Sequence, residues 1–252
     1  MTLVGVQLQP QHCALPDLRA AWKAADDAGL DSIWTWDHFF PLFGDPEGDH
    51  FEGWSLLAAM AADTTKAKLG LLVSCNSYRN PEMATDMMRT IDHISNGRAY
   101  FGIGAGWFER DYDEYGWDFG TVGSRLTDLR EALPRITSRL AALKPGPIGD
   151  LPLMIGGAGE KRTLKYTAQY ADAHNTFGPP DVYAHKMKVL DKWCEKLDRN
   201  PTEIERTVAI DTSPTQLAWA DDLVAAGATH IIVMTPAPFD LAPALELQAR
   251  LG

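Results

Sequence analysis

Cysteine is scarce in this sequence, and the few present form no recognisable site. Among 252 residues the cysteines are Cys13, Cys75 and Cys194, far apart and without CxxC spacing. None of the seven histidines falls in an HxxxH or HExxH pattern. The sequence therefore predicts neither a disulfide framework nor a metal site, and free cysteines are typical of a reducing compartment.

Basic residues and long apolar runs are also scarce. There are 23 Lys and Arg against 34 Asp and Glu, a formal net charge of -11, and no basic run could follow a phosphate backbone. No window approaches the roughly 18 apolar residues of a membrane span, and the opening MTLVGVQLQP lacks the basic region of a leader. We therefore expect a soluble, cytoplasmic protein that binds neither nucleic acid nor membranes.

Short apolar runs alternate with longer amphipathic segments along the whole chain, and this alternation predicts the fold. Eight β-then-α units in about 250 residues, without a break in composition, favour one α/β domain over residues 1–252, a (β/α)8 TIM barrel. An open doubly wound sheet is the alternative. The predicted strands are 3–8, 32–36, 69–73, 99–103, 153–155, 173–176, 207–210 and 230–234. The predicted helices are 17–28, capped by Asp17, then 54–62, 81–95, 126–140, 160–171, 181–197, 215–226 and 241–251.

The loops that follow the strands carry the chemistry in such a barrel, and the loop after the second strand holds the first candidate. The segment WTWDHFF places the Asp37 carboxylate and the His38 imidazole among aromatic residues. Histidine changes protonation near neutral pH, so His38 is a candidate proton donor or acceptor. The alternative is a buried, hydrogen-bonded His38 with Asp37 capping the loop.

The third predicted strand ends in small polar residues. Ser74, Cys75 and Asn76 would allow a flat ligand to approach closely, although a plain exit from a strand fits them as well. Cys75 has no base near it in the sequence, and buried cysteines are usually inert, so we do not assign it as a nucleophile.

Glycines alternate after the fourth predicted strand. The run Gly102-Ile103-Gly104-Ala105-Gly106-Trp107 lacks the spacing of a dinucleotide fingerprint, so the glycines indicate backbone passing close to a ring at the barrel mouth. The acidic cluster at 109–114 that follows is typical of a solvated face.

The segment IGGAGEKRT after the fifth predicted strand is typical of a phosphate site. Small side chains leave the N–H groups of a turn and a helix start uncovered, and Lys161 or Arg162 would add charge. A tight connection without a ligand is the alternative. The residues predicted to hold the phosphate are Gly156, Gly157, Ala158 and Gly159.

Four segments together resemble the bacterial luciferase-like family, and more narrowly its actinobacterial branch that uses the deazaflavin coenzyme F420. They are SIWTWDHFF, KLGLLVSCNSYRNPEM, DHISNGRAYFGIGAGWFERDYDEYG and LPLMIGGAGEKRTLKYTAQYADAHN. The resemblance covers about residues 1–176, and the last third matches only in its β/α rhythm. It implies a barrel that holds the coenzyme ring at its C-terminal mouth for hydride or oxygen chemistry on a small organic substrate.

The resemblance also implies roles for individual residues. Asp37 and His38 would lie beside the ring, with His38 as proton donor or substrate polariser. Ser74-Cys75 falls where the family often has a non-prolyl cis peptide that supports one ring face. Asn76 and the backbone of Gly104, Ala105 and Gly106 would line the ring and the start of its side chain, and residues 156–159 would take the phosphate.

Two departures from the family pattern limit what the resemblance implies. Trp107 stands where the sugar-phosphate dehydrogenases of the family have an acidic residue, which disfavours that activity and leaves Glu109 as a candidate for proton transfer. The segments 140–153 and 176–181 are short, so we expect reduced insertion loops over the pocket.

Three functions remain open on these grounds. The first is an F420-dependent oxidoreductase that transfers a hydride to or from a small substrate. The second is an FMN-dependent monooxygenase, and the third is a cofactor-binding barrel without activity. Because the family commonly dimerises, we also expect a homodimer. Met60, Met83 and Met87 are candidates for its interface, unless they face the barrel.

Overall fold

The strands pair in parallel around a closed ring. The computed structural model describes residues 2–252, within which the strands are β1 Leu3–Leu8, β2 Ser32–Thr35, β3 Lys68–Leu71, β4 Ser74–Cys75, β5 Ala99–Gly104, β6 Leu153–Gly156, β7 Ala173–Thr176, β8 Glu205–Asp211 and β9 His230–Thr235. β1 lies between β2 and β9, and β3 and β4 both pair with β5. β3 and β4 therefore share one position in an eight-membered ring. The predicted (β/α)8 barrel is confirmed, and the open sheet is wrong.

Helices connect the strands on the outside of this ring. Over the same described residues they are α1 Leu15–Asp27, α2 Gly53–Asp63, α3 Pro81–Ile94, α4 Glu109–Tyr115, α5 Val122–Ala142, α6 Thr163–Tyr170, α7 Pro180–Lys196, α8 Pro214–Leu217, α9 Ala220–Ala225 and α10 Ala242–Leu251. The connections 143–152 and 177–179 are short, as expected. No helix within residues 2–252 is long and apolar enough to cross a membrane.

Several helix boundaries differ from the sequence prediction. Asp17 does not cap α1, because the helix starts at Leu15 after Ala14, and Asp17 lies in its first turn. The predicted helix 215–226 is two shorter helices, α8 and α9. α4 was not predicted, because its seven residues are too few to show an apolar period.

The third barrel strand is interrupted. Its predicted span 69–73 is wrong beyond Leu71, where β3 ends. The peptide bond between Leu72 and Val73 is cis. The non-prolyl cis peptide that the family resemblance placed at Ser74-Cys75 therefore lies two residues earlier in the chain.

The interior of the barrel is apolar in the middle and polar at the end where the strands begin. The apolar layer consists of Trp34, Leu72, Tyr100, Met154, Ala173, Ala209 and Ile232. Below it, Glu205 accepts hydrogen bonds from His230 Nδ1 at 2.6 Å and from the Tyr100 hydroxyl at 2.7 Å. His230 Nε2 lies 2.7 Å from the Ser32 hydroxyl. The polar side chains at this end of the barrel are thus hydrogen-bonded to one another.

A buried ion pair joins the loop after β2 to the loop after β4. The Asp37 side chain is fully buried and accepts hydrogen bonds from Arg79 Nη1 at 2.7 Å and from the Cys75 N–H at 3.0 Å. Arg79 also reaches Glu52 at 2.9 Å, and Glu52 caps α2 by accepting from the Trp54 and Ser55 N–H groups. Burial raises the pKa of Asp37, and the charge of Arg79 opposes that rise. This pair fixes where the chain enters α2 and α3.

The methionines proposed for a dimer interface divide into two groups. Met60 is 1% exposed and belongs to the core, so it cannot serve an interface. Met83 is 49% exposed, and with Met87 it lines a groove of about 570 Å³ between α2 and α3. The homodimer stays a prediction, and Met83 and Met87 are the remaining candidates for its interface.

We expect Glu205→Gln to lower the free energy of unfolding at pH 7 by about 1–3 kcal/mol, because it removes the charged acceptor of two partly buried donors. Burial tends to raise the pKa of Glu205, but the hydrogen bond and charge of His230 outweigh it and hold the pKa below its ordinary value. A carboxylate whose pKa is lower in the folded than in the unfolded state stabilises the fold at pH values above its unfolded pKa. This stabilisation is lost as the pH falls through the pKa of the folded state.

Chemical denaturation of both proteins between pH 7 and pH 3 measures this effect. The difference in free energy of unfolding between wild type and Glu205→Gln should become smaller as the pH falls. Glu203→Gln is the matched control, because Glu203 is 59% exposed in its pair with Arg199. A difference in free energy of unfolding that does not change with pH would show that the charge of Glu205 does not cause it.

Arg79→Met should destabilise the fold by about 3–5 kcal/mol, because it leaves the Asp37 carboxylate buried without its cation. Thermal and urea denaturation measure the loss. Arg135→Met is the control, since Arg135 pairs with Glu82 at the surface, where such pairs contribute about 0–1 kcal/mol. Equal losses in the two variants would contradict a structural role for the Asp37–Arg79 pair.

Candidate active site

The His38 imidazole is fixed at the C-terminal end of the barrel by a buried carboxylate. His38 Nδ1 lies 2.7 Å from Asp111 Oδ2, and the Asp111 side chain is fully buried. The His38 side chain is 11% exposed, and among residues 2–252 no hydrogen bond engages its Nε2. Since an ionised carboxylate only accepts hydrogen bonds, Nδ1 carries a proton and Nε2 is left for a ligand.

Asp111 holds two further groups of the site. Its Oδ1 accepts from the Phe39 N–H at 3.1 Å, and its Oδ2 accepts from the Tyr78 hydroxyl at 2.8 Å. Burial raises the pKa of Tyr78 far above its ordinary value, and the charge of Asp111 adds to this effect. Tyr78 therefore stays protonated and remains a donor. The carboxylate joins the loop after β2, the loop after β4 and helix α4.

Aromatic rings surround the imidazole. The ring centroids of Trp36, Trp107 and Phe108 lie 6.2, 5.6 and 5.5 Å from that of His38, each nearly perpendicular to it. Trp36 is held in turn by a 2.9 Å hydrogen bond from its Nε1 to His50 Nε2. Burial and the charge of His38 lower the pKa of His50 to about 4, so His50 is a neutral acceptor at pH 7.

The structure separates the adjacent residues Asp37 and His38. His38 faces the mouth, whereas Asp37 is buried in its pair with Arg79 and has no exposed side-chain surface for a ring to contact. That Asp37 lies beside the coenzyme ring stays a prediction, and its side chain is turned away from solvent. Its contribution is to hold the loop that carries His38.

The predicted residues after β4 are buried by their own contacts. The Ser74 hydroxyl donates to the Gly102 carbonyl at 2.5 Å, and Cys75 Sγ lies 3.2 Å from the Tyr112 hydroxyl. Burial raises the pKa of Cys75 to about 11, so the thiol is not ionised at pH 7. Asn76 lines a cavity of about 310 Å³ shared with α5, and its Oδ1 is buried without a hydrogen-bond partner in the described chain. Direct contact of these residues with a ring stays a prediction.

The glycines of β5 and β6 make room for a side chain of the protein itself. A Cβ on Gly104 or Gly156 would lie 2.9 or 2.8 Å from Val73 Cγ2. Gly106 has φ +83°, and a Cβ there would lie 2.0 Å from the Tyr112 hydroxyl. The sequence interpretation assigned this space to a bound ring. The contacts show that Val73 and Tyr112 already require glycine at these positions.

Glu109 and Asp111 belong to the same acidic cluster but occupy different environments. Glu109 begins α4, is exposed, and makes no hydrogen bond to any group in residues 2–252, so its part in proton transfer stays a prediction. Sequence reasoning missed Asp111, because the cluster was interpreted as a solvated face. The signal available was Asp111-Tyr112, the adjacent pair that α4 buries, beside the aromatic residues of the motif.

The loop after β6 fits a phosphate group. Helix α6 begins at Thr163, three residues later than predicted, and residues 157–162 form an open turn before it. The Gly157 N–H donates a hydrogen bond of 2.9 Å to the Asn175 carbonyl. The N–H groups of the exposed residues Ala158 and Gly159 make no hydrogen bond to the described residues. The two free N–H groups are donors of the kind that binds phosphate oxygens.

The charged residues of this loop differ in their availability. Glu160 is neutralised by Lys186 at 2.6 Å and by His185 at 3.1 Å, which holds its pKa below the ordinary value. Arg162 donates to the Gly123 carbonyl at 2.9 Å. Lys161 is exposed and makes no hydrogen bond within residues 2–252, so of the two predicted cations it is the one available to a phosphate.

Known proteins resemble this chain in sequence and in fold over most of its length. F420-dependent glucose-6-phosphate dehydrogenase of Amycolatopsis mediterranei is 26% identical over 235 residues, covering 84% of this chain and 69% of that protein. An F420-dependent secondary alcohol dehydrogenase, solved with an F420-acetone adduct, superposes with a TM-score of 0.84 at 16% identity, covering 98% of this chain and 97% of that one.

An FMN-bound enzyme has the same fold. The oxygenating constituent of 3,6-diketocamphane monooxygenase from Pseudomonas putida gives a TM-score of 0.75 at 13% identity, over 98% of this chain and 96% of that one. The family model for luciferase-like monooxygenases matches residues 1–221. The resemblance inferred from four sequence segments is thereby confirmed over most of the chain: this protein belongs to the luciferase-like monooxygenase family.

Proposed function

We propose that the protein is an F420-dependent oxidoreductase in which His38 exchanges a proton with a small organic substrate. The observation that carries the proposal is the His38–Asp111 contact of 2.7 Å, which leaves Nε2 of a partly enclosed imidazole directed to a ligand. Coenzyme F420, when bound, supplies or accepts a hydride. A proton must then be moved separately, and His38 has the geometry to move it.

The proton chemistry follows from the fixed tautomer. The neutral imidazole keeps its proton on Nδ1 against Asp111, so Nε2 accepts a proton from an alcohol. The protonated imidazole donates from Nε2 to a carbonyl oxygen, and the buried carboxylate stabilises its positive charge. The same residue therefore serves reduction of a carbonyl and oxidation of an alcohol.

The donors of the β6 loop support a phosphate-bearing cofactor. Residues 156–159 would hold the phosphate through the free N–H groups of Ala158 and Gly159, with Lys161 adding a positive charge. Relatives named as F420-dependent favour the deazaflavin over FMN. FMN phosphate would meet the same donors, so an FMN-dependent monooxygenase is the alternative outcome of the test.

Titration of the purified protein with F420 and with FMN, followed by cofactor fluorescence, tests the assignment. We expect micromolar binding of F420 and much weaker binding of FMN. Micromolar binding of FMN alone would overturn the F420 assignment. Tight F420 binding without turnover on a broad panel of ketones, aldehydes and enones would favour the barrel without activity.

We expect His38→Ala to lower kcat by about 10²-fold or more while the Kd for F420 changes little, because the imidazole acts on the proton. Asp111→Asn should also lower kcat by about 10²-fold, since an amide cannot hold the same tautomer or stabilise the imidazolium. Steady-state kinetics across pH measures both, and Asp111→Asn should shift the pH profile.

Asp113→Asn is the matched control for the carboxylate. Asp113 lies on the same helix two residues later and is exposed, so its variant should keep wild-type kcat and pH profile. A wild-type kcat in His38→Ala would exclude His38 as the proton-transfer group. Equal effects of the two Asn variants would indicate a change of surface charge in place of the His38 contact.

A further inference from the structure

Trp107 is an exposed indole beside the candidate proton-transfer group. It is 62% exposed, although its ring centroid lies 5.6 Å from that of His38 and 5.4 Å from that of Phe108. It directly follows Gly106, whose positive φ of +83° turns the chain out of β5. An open aromatic face next to a reactive nitrogen is a surface on which a ligand can pack.

The rings packed around the His38 imidazole are aromatic. Trp36, Trp107 and Phe108 each stand nearly perpendicular to the imidazole, at interplanar angles of 79°, 73° and 87°. A molecule that reaches Nε2 therefore exchanges water for aromatic carbon over much of its surface. Such an exchange is favourable for an apolar body and unfavourable for an ionised one.

The guanidinium groups on the neighbouring segments of the chain already have partners. Arg79 is paired with Asp37 and Glu52, and Arg110 is paired with Glu47. The third of these groups, that of Arg125, donates to the carbonyls of two loop residues, Gly106 at 3.1 Å and Phe119 at 2.8 Å. These three cations are not available to an anionic substrate.

Negative charge is close to the same place. Asp111 is buried 2.7 Å from His38, and Glu109 is exposed two residues after Trp107. Lys161 is assigned above to the cofactor phosphate. An anionic substrate at Nε2 would approach carboxylates without gaining a lysine or arginine partner, whereas a neutral carbonyl or hydroxyl group needs only the single donor or acceptor that Nε2 provides.

We infer that the substrate is a neutral ketone or aldehyde, or the corresponding alcohol, with an apolar body that packs on Trp107. Trp107 is then a specificity-determining residue that selects against anions such as sugar phosphates. The identity of the reaction rests on the proposed function, but the selection of a neutral apolar ligand rests on the aromatic walls and the engaged cations. Binding and turnover therefore test it separately.

Acetophenone, 1-phenylethanol and benzoate form a matched set of probes, because the three share a phenyl ring and differ in charge and in the group offered to Nε2. Binding is measured by ligand-detected saturation-transfer NMR and calorimetry, with and without oxidised F420, after the F420 Kd of each protein has been determined. We expect acetophenone and 1-phenylethanol to bind at least about tenfold more tightly than benzoate, given a tenfold ratio per 1.4 kcal/mol.

Variants of Trp107 test whether the apolar body of the ligand packs on its indole. Trp107→Ala should weaken acetophenone binding by about three- to tenfold, and Trp107→Phe should restore most of it. Ile148→Ala is the control, because Ile148 is 53% exposed on the connection that precedes β6, at the other end of the barrel. Since Trp107 is exposed, thermal denaturation of its variants should match that of the wild type.

The outcomes distinguish this inference from the proposed function. Benzoate binding as tightly as acetophenone, or acetophenone binding unchanged in Trp107→Ala, would overturn the substrate class. Preference for acetophenone without any F420 binding would support the substrate class and refute the cofactor. Binding of F420 with preference for benzoate would leave the cofactor proposal intact and refute this one.

Discussion

The buried carboxylate of Asp111 is the constraint on which the rest of the site depends. A carboxylate without solvent contact is costly unless its oxygens are satisfied, and three donors satisfy this one: His38 Nδ1, the Phe39 N–H and the Tyr78 hydroxyl. The donors come from two separate loops, so the interaction brings the loops together and fixes the imidazole tautomer at once. The same contacts therefore hold this corner of the barrel together and fix the nitrogen proposed to move the proton.

The adjacent residues Asp37 and His38 make buried contacts with different parts of the chain. Asp37 and His38 are adjacent in the loop after β2, yet their side chains have different partners. Asp37 turns into the scaffold and binds Arg79, and His38 turns to the mouth and binds Asp111. Each residue is thus paired with a charged residue from a different segment, Arg79 after β4 and Asp111 in α4. A dipeptide that reads as one functional unit in the sequence therefore acts through two independent buried contacts.

The sequence was sufficient for the barrel but not for the contacts that complete the site. Alternating periodicity and length predicted a strand at each of the eight barrel positions, because these are local signals, but not the interruption of the third strand after Leu71. Asp111 could not be recognised, since its burial depends on where a seven-residue helix packs. The reason for Gly104 and Gly156 was also hidden: Val73, which fills the space beside them, becomes their neighbour only after the third strand is interrupted.

The mouth of the barrel separates two kinds of recognition. On the β6 side, free N–H groups before α6 suit an anion, even though the protein carries a formal net charge of -11. On the β2 and β5 side, Trp36, Trp107 and Phe108 enclose His38 in hydrocarbon, and the nearby guanidinium groups are engaged. Backbone dipoles can hold a phosphate locally without lowering the negative field elsewhere. An acidic barrel with short loops can therefore offer different surfaces to the anionic cofactor and the neutral substrate proposed above.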